Sequence, residues 1–139
     1  MRTVDMKRIM MVDDDYAAHT FHKIMMEQAG FIDNEIQIDE CYSVEEALKK
    51  LLPKSREDQD LPEIILIDIN MPRKTGWDFL EAFQKIEFEG MKPYIYMVTN
   101  SENPSDIRKV SGYKDVVAFK TKFLDQAFFK QLLEGGLPN

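Results

Sequence analysis

Two short segments of this chain are almost entirely apolar, and they constrain its fold more than any other feature. They are "RIMMV" at 8–12 and "EIILI" at 63–67. Runs this short without polar alternation are typical of strands that are buried on both faces of a parallel sheet. Three further runs of strand-forming residues, at 35–39, 94–98 and 116–119, bring the number of predicted strands to five. The run at 35–39, "EIQID", alternates polar and apolar residues, which favours an edge strand.

Amphipathic segments separate these runs and predict helices. Two of the helices have clear start signals: Ser43 and Glu46 have the spacing of a capping box, and Asn103 precedes a proline at the first helical position. The helices are predicted at 16–29, 43–52, 77–88, 103–110 and 125–134. The resulting order, βαβαβαβαβα, predicts an α/β fold in which helices cover both faces of a mainly parallel sheet.

The length of 139 residues and the 44% hydrophobic content suit one domain, so we expect residues 1–139 to form a single domain without an output module. Lys and Arg number 18 against 25 Asp and Glu, and the net charge of -7 argues against binding to nucleic acid or to an anionic membrane. Cys41 is the only cysteine, so no internal disulfide can form, and we predict a core position for it. Because no run approaches the ~20 apolar residues of a membrane span and the start lacks a signal-peptide pattern, we expect a cytoplasmic protein.

Carboxylates follow two of the predicted strands. Asp13 and Asp14 come directly after the first strand, and Asp68 ends the third, inside "ILIDINMPRKTG". In an open parallel sheet, ligands bind at the carboxyl ends of the strands, so these side chains would meet if strands one and three are neighbours. Like charges at close range raise each other's pKa unless a cation compensates them, and an all-oxygen set of ligands suits Mg²⁺. We assign Asp15 instead to the start of the first helix.

Two other strand ends carry complementary groups. Thr99 follows the fourth strand, and Lys120 and Lys122 follow the fifth. A hydroxyl and an ammonium that face a magnesium-bound carboxylate could cradle a dianionic tetrahedral group. The pattern therefore predicts a site for a phosphoryl group.

Five separated segments together resemble the receiver domains of response regulators, and in particular free-standing, CheY-like ones. In chain order they are "MMVDDD", "ILIDINMPRKTGWDFL", "YIYMVTNSEN", "AFKTKF" and "FFKQLL". The resemblance extends over about residues 7–134. It implies a doubly wound, flavodoxin-like (βα)5 fold with a five-stranded parallel sheet in the order 2-1-3-4-5.

The resemblance also implies a role for each matching residue. Asp68 would accept the phosphoryl group, Asp14 would ligate Mg²⁺ directly, and Asp13 would act on it through water. Asn70 would give its backbone carbonyl to the metal, and Thr99 would donate a hydrogen bond to a phosphoryl oxygen.

The family lysine after strand five could be either of two residues. In the family an aromatic switch residue stands three positions before this lysine. The choice of Lys122 places Phe119 at the switch position, whereas the choice of Lys120 places Val117 there. We favour Lys122, and Lys120 remains the alternative.

Two positions depart from the family pattern. Phe123 stands where a proline usually follows the lysine, with a peptide bond that is typically cis. A cis bond before any other residue is costly, so we expect this loop to be rearranged. Asn100 stands beside the phosphorylation pocket, where a small residue is usual. Either change could slow phosphoryl transfer without abolishing it.

The implied function is that of a two-component response regulator. Asp68 would take a phosphoryl group from a sensor histidine kinase or a phosphotransfer protein, and the chain would then switch the face formed by its fourth helix, fifth strand and fifth helix for an unknown downstream protein. A phosphorelay intermediate or a phosphate sink remains open. Asn70 cannot supply the second carboxylate of a phosphatase, which argues for self-phosphorylation and slow autodephosphorylation rather than enzymatic turnover. The oligomeric state is not predicted.

Three other residues attract attention without matching the site. His19 and His22 lie three positions apart on the predicted first helix, and we expect both to be ordinary exposed residues. Trp77 lies at the start of the predicted third helix, and we expect it to pack against the core rather than to stack on a ligand.

Overall fold

The computed structural model describes residues 4–52, 60–100 and 103–139, in which five strands alternate with five helices. The strands are β1 (Arg8–Val12), β2 (Gln37–Cys41), β3 (Ile64–Ile67), β4 (Tyr94–Thr99) and β5 (Val116–Thr121). The helices are α1 (Tyr16–Ala29), α2 (Val44–Leu51), α3 (Gly76–Gln84), α4 (Pro104–Val110) and α5 (Gln126–Leu133). A polar connection at 53–62 is also suggested by the sequence, and most of it lies outside the described residues.

The strands form one parallel sheet in the order β2-β1-β3-β4-β5. This order confirms the predicted flavodoxin-like topology, and β2 occupies an edge as its alternating sequence predicts. The register pairs Val12 with Ile67, so β1 and β3 end side by side. The backbone N–H of Asp68 donates a hydrogen bond to the carbonyl of Val12 at 3.0 Å. The carboxylates that follow the two strands therefore leave the sheet next to each other.

Helices cover both faces of the sheet and give it two apolar cores. Alternate β1 residues point to opposite faces, so Met10 packs toward α2 and α3, whereas Met11 packs toward α1 and α5. Cys41 is fully buried in the first core, as predicted. Trp77 packs against the same core at its rim, which confirms its predicted packing role. Among the described helices, none is long and apolar enough to cross a membrane.

Local signals account for several helix starts. The Ser43 hydroxyl accepts a hydrogen bond from the N–H of Glu46, but the Glu46 carboxylate accepts from the N–H of Tyr42, so only half of the predicted capping box forms. Asn103 caps α4, with Pro104 at its start, as predicted. A complete capping box between Thr75 and Asp78 starts α3 at Gly76, one residue before the predicted start.

Three predicted elements have boundaries that are wrong by two to four residues. β5 was predicted at 116–119 but continues to Thr121. β2 was predicted at 35–39 but spans 37–41, because its position is set by pairing with β1, where Gln37 lies opposite Arg8. α3 ends at Gln84 rather than at residue 88, because the chain tightens there and Ile86 N–H donates to the carbonyl of Phe83. The position of β2 therefore depends on a contact between segments, whereas the end of α3 depends on a local turn.

Candidate functional site

Three carboxylates meet at the carboxyl edge of the sheet. Asp13, Asp14 and Asp68 each place one oxygen within 4.8 Å of the others. Asp13 and Asp68 are buried, with 8% and 6% of their surfaces exposed, whereas Asp14 is exposed. Backbone pairing holds the buried pair in place, because Asp13 N–H donates to the carbonyl of Cys41 and Asp68 N–H donates to that of Val12. The sheet thus brings these three residues together, as their positions after β1 and β3 predict.

The Lys122 ammonium lies against the two buried carboxylates. Its Nζ is 2.7 Å from Oδ2 of Asp13 and 3.4 Å from Oδ2 of Asp68. Burial by itself would lower the pKa of Lys122, but the hydrogen bond to Asp13 and the charges of both carboxylates outweigh it and raise that pKa above its usual value. Lys122 therefore remains a cation in this site.

The positive charge of one ammonium does not neutralise the negative charges of the three carboxylates. Burial raises the pKa of Asp13 above its usual value, despite the hydrogen bonds that its carboxylate accepts from Lys122 and from the N–H of Asp15. The negative charge of Asp68 adds to this effect. A divalent cation would supply the missing positive charge, and three carboxylates offer the oxygen ligands that Mg²⁺ prefers.

The structure separates the two candidate lysines. The Lys120 ammonium donates a hydrogen bond to the carbonyl of Asn139 at 2.7 Å and lies 6.0 Å from the ring centroid of Phe128, remote from the carboxylates. β5 ends at Thr121, and Lys122 is the first residue beyond it. Lys122 is therefore the lysine that the fold brings to the cluster.

The other predicted site residues lie along the same edge or behind it. Thr99 ends β4 and is 1% exposed, and its carbonyl accepts a hydrogen bond from the N–H of Lys122 at 3.1 Å. Phe119 pairs with Met97 and packs, half-buried, against the first core. Asn70 and Asn100 are exposed.

The loop after Lys122 does not depart from the family pattern in the expected way. The peptide bond between Lys122 and Phe123 is cis, so the prediction of a rearranged loop is wrong. The side chain of Phe123 is 46% exposed, and its ring lies 5.1 Å from that of Phe21 in α1.

The backbone of Asp68 leaves no room for a side chain at position 76. The N–H of Gly76 donates to the carbonyl of Ile69 at 2.8 Å. A Cβ at position 76 would lie 2.6 Å from the carbonyl oxygen of Asp68. Glycine at the start of α3 thus lets the loop after β3 fold back directly behind the carboxylate.

Both histidines contradict the prediction that they are exposed. His19 and His22 are 1% and 5% exposed, because they lie with Ala18 and Met26 on the inward face of α1. The Nε2 atom of His19 lies 2.8 Å from the carbonyl oxygen of Asp13, to which it can donate. The Nε2 atom of His22 accepts a hydrogen bond from a backbone N–H of the loop after Lys122. Their helical spacing with Ala18 and Met26 is the sequence signal that could have identified both histidines as buried residues.

Comparisons with known proteins agree with this geometry. The family model of the response regulator receiver domain matches residues 9–132. Among solved structures, a two-component response regulator from Cytophaga hutchinsonii is 23% identical, with a TM-score of 0.78 over 94% of this chain and 96% of that one. One from Legionella pneumophila is 22% identical, with a TM-score of 0.73 over 92% and 95% of the two chains.

A third solved structure with the same fold is that of a chemotaxis protein. The chemotaxis protein CheY4 of Vibrio cholerae is 19% identical, with a TM-score of 0.69 over 93% of this chain and 97% of that one. No curated protein sequence matches this chain. At such identities the solved structures show a common fold, and the family model covers most of the chain. The chain therefore belongs to the response regulator receiver domain family, the signalling domains of two-component systems.

Proposed function

We propose that the chain is a magnesium-dependent phospho-switch in which Asp68 accepts a phosphoryl group from a phosphohistidine of a sensor histidine kinase or a phosphotransfer protein. The observation that carries this proposal is the buried pair of Asp13 and Asp68 with Lys122 between them. Burying two carboxylates and one ammonium has a desolvation cost that stability alone does not explain, so we infer that the arrangement is kept to bind a ligand. We assign this activity to the cytoplasm.

Asp13, Asp14, Asp68 and the backbone carbonyl of Asn70 would hold Mg²⁺. The fit rests on the donor set, because three carboxylates lie within 4.8 Å of one another and a single ammonium leaves them undercompensated. When bound, the metal would neutralise negative charge on the carboxylates and on the phosphoryl oxygens.

The transfer reaction itself needs little covalent chemistry from the protein. A carboxylate oxygen of Asp68 attacks the phosphorus in line, the new O–P bond forms, and the P–N bond to the donor imidazole breaks with its electron pair passing to that nitrogen. The Lys122 ammonium pairs with a phosphoryl oxygen, and the Thr99 hydroxyl donates a hydrogen bond to another. These residues contribute position and charge, which dominate phosphoryl transfer.

The signal would leave the site through Thr99 and Phe119. The backbone carbonyl of Thr99 accepts a hydrogen bond from the N–H of Lys122, and Phe119 lies half-buried on the neighbouring strand. A shift in these two side chains would bias the conformation of the face formed by α4, β5 and α5, on which a downstream protein would dock.

Asn70 provides no second carboxylate, which argues against a phosphatase-like enzyme.

Phosphorylation with acetyl phosphate and Mg²⁺ tests the assignment of Asp68. We expect intact-mass spectrometry to show one added phosphoryl group on the wild-type chain, and none after addition of EDTA or in D68N. The exposed carboxylate of Asp5 provides a matched control, so D5N should label like the wild type. Label that persists on D68N at the wild-type level would refute the assignment.

Beryllofluoride, a phosphoryl mimic, separates a switch from a relay or a sink. For a switch we expect chemical-shift changes in the amides of Phe119 and Ile107 as well as in the loops around Asp68. Changes confined to those loops would favour a relay intermediate or a sink without a conformational output.

A further inference from the structure

A buried side chain of α1, His22, is hydrogen-bonded to the loop that carries Lys122. His22 is 5% exposed, and its Nε2 accepts a hydrogen bond from the backbone N–H of Leu124 at 3.0 Å. The two residues are 102 positions apart in the sequence. Leu124 lies two residues after Lys122, so this hydrogen bond fixes the backbone next to the catalytic ammonium.

Aromatic rings hold the imidazole of His22 in one orientation. The ring centroids of Phe123, Phe129 and Phe21 lie 5.7, 5.9 and 6.1 Å away, all in edge-on arrangements. Burial, together with the positive charges of Lys122 and His19, lowers the pKa of His22 to about 4. The ring is therefore neutral near pH 7, and its Nε2 lone pair is available to the Leu124 N–H.

The Leu124 N–H needs this acceptor. Leu124 is 3% exposed, and a buried backbone donor without a partner carries a large desolvation cost. At the other end of the segment, the N–H of Lys122 donates to the carbonyl of Thr99. The segment 122–124 is thus held at one end by β4 and at the other by His22.

We propose that His22 is a positioning residue for phosphoryl transfer: through the Leu124 amide it holds the 122–124 loop so that the Lys122 ammonium faces Asp13 and Asp68. The proposal rests on the function assigned above to Asp68. Small displacements matter here, because the Lys122 Nζ must remain near both carboxylates, which now lie at 2.7 and 3.4 Å. A residue that only fills the core would be replaceable by an apolar side chain of similar size, whereas this role requires a hydrogen-bond acceptor.

The first test measures the hydrogen bond in the full chain and does not depend on phosphorylation. In uniformly ¹⁵N-labelled protein at pH 7, we expect a scalar coupling across the hydrogen bond between the amide nitrogen of Leu124 and Nε2 of His22. A protonated or donating Nε2, or no coupling to Leu124, would overturn the proposal.

The second test compares labelling rates with acetyl phosphate in two variants of His22. H22L removes the acceptor and should slow labelling of Asp68 by about tenfold to a hundredfold, the range expected when a catalytic group is displaced by about 1 Å. H22Q offers a carbonyl oxygen near the position of Nε2 and should recover most of the wild-type rate. Equal rates for H22L and the wild type, or no recovery in H22Q when it is folded, would refute the positioning role.

Met26 provides the matched control for lost packing. It is fully buried on the same face of α1, but its thioether makes no comparable hydrogen bond to the loop. M26A should lower the stability of the fold and leave the labelling rate of the folded protein unchanged. A wild-type chain that shows the coupling but takes no label would refute the function proposed for Asp68 rather than the placement of His22.

Discussion

The two sides of the receiver domain differ in how tightly they pack. The α1 and α5 layer beside the carboxylates is closely packed, and its helices bury Ala18, His19, His22, Met26, Phe128, Phe129 and Leu132. At one edge of the domain, called the open side here, α4 buries none of its residues and every residue of β5 is at least partly exposed. Regions with fewer buried contacts open locally at a lower free energy, so the open side can change conformation more easily than the α1 and α5 layer. Within the proposed output face, we therefore expect α4 and β5 to change conformation, whereas the packed α5 stays in place and, together with α1, orients the charged site.

The largest expected effect tests this difference directly through stability. Phe129 is fully buried in α5 and packs edge-on against Phe31 and Phe128, so F129A should cost about 3–5 kcal/mol of unfolding free energy. Ile107 is a similarly apolar residue in α4, but it is 51% exposed, and I107A should change that free energy by less than about 0.5 kcal/mol. Urea denaturation followed by circular dichroism measures both values. Similar losses in the two variants would show that α4 is packed as firmly as α5.

A second effect depends on pH and is specific to the packed side, where both histidines of the chain lie. The pKa of His22 is about 4 in the folded chain against a usual 6.5, because its burial opposes the charged form. Between these values the unfolded chain binds a proton that the folded chain does not, so stability is complete above about pH 6.5 and falls as the pH drops toward 4. We expect the wild type to lose about 2 kcal/mol from this group between pH 7 and pH 5.

The comparison with H22Q isolates this contribution. Glutamine cannot take up the proton, so the difference in stability between the wild type and H22Q should narrow or change sign on acidification. Other groups with shifted pKa values, such as Asp13, change the stability of both chains by the same amount. Their contributions therefore cancel when the two unfolding free energies are subtracted. A difference that stays constant from pH 7 to pH 5 would show that His22 is not buried as a neutral ring.

The sequence predicted the sheet and the carboxylate cluster well, because both follow from where apolar runs end. Asp13 and Asp68 lie close together because each follows a strand, and these two strands are neighbours in the sheet. The assignment between Lys120 and Lys122 was harder, because residues two apart on a strand share a face. The end of β5 at Thr121 decides it: Lys120 is held within the strand, and Lys122 lies in the loop that turns toward the carboxylates.

The role of His22 was out of reach for a different reason. Helical spacing could have placed His22 on the buried face of α1, but it gives no indication of the group to which the imidazole is hydrogen-bonded. The buried imidazole accepts its hydrogen bond from the N–H of Leu124, which lies 102 residues further along the chain. No sequence pattern connects His22 with Leu124. The same holds for the cis bond before Phe123, where the residue type suggested a different loop.

The smallest expected effect concerns a contact between α4 and α3. The Lys109 ammonium lies 4.6 Å from the ring centroid of Trp77, the only tryptophan, in an exposed cation–π contact worth about 0.5–1 kcal/mol. K109A should therefore lower the unfolding free energy by about 0.5 kcal/mol, and K109R, which keeps the cation, should restore it. Trp77 fluorescence during urea denaturation reports both variants. Because so weak a contact joins α4 to α3, a loss comparable to that of F129A would mean that α4 is anchored as a core element and is not the yielding face of the domain.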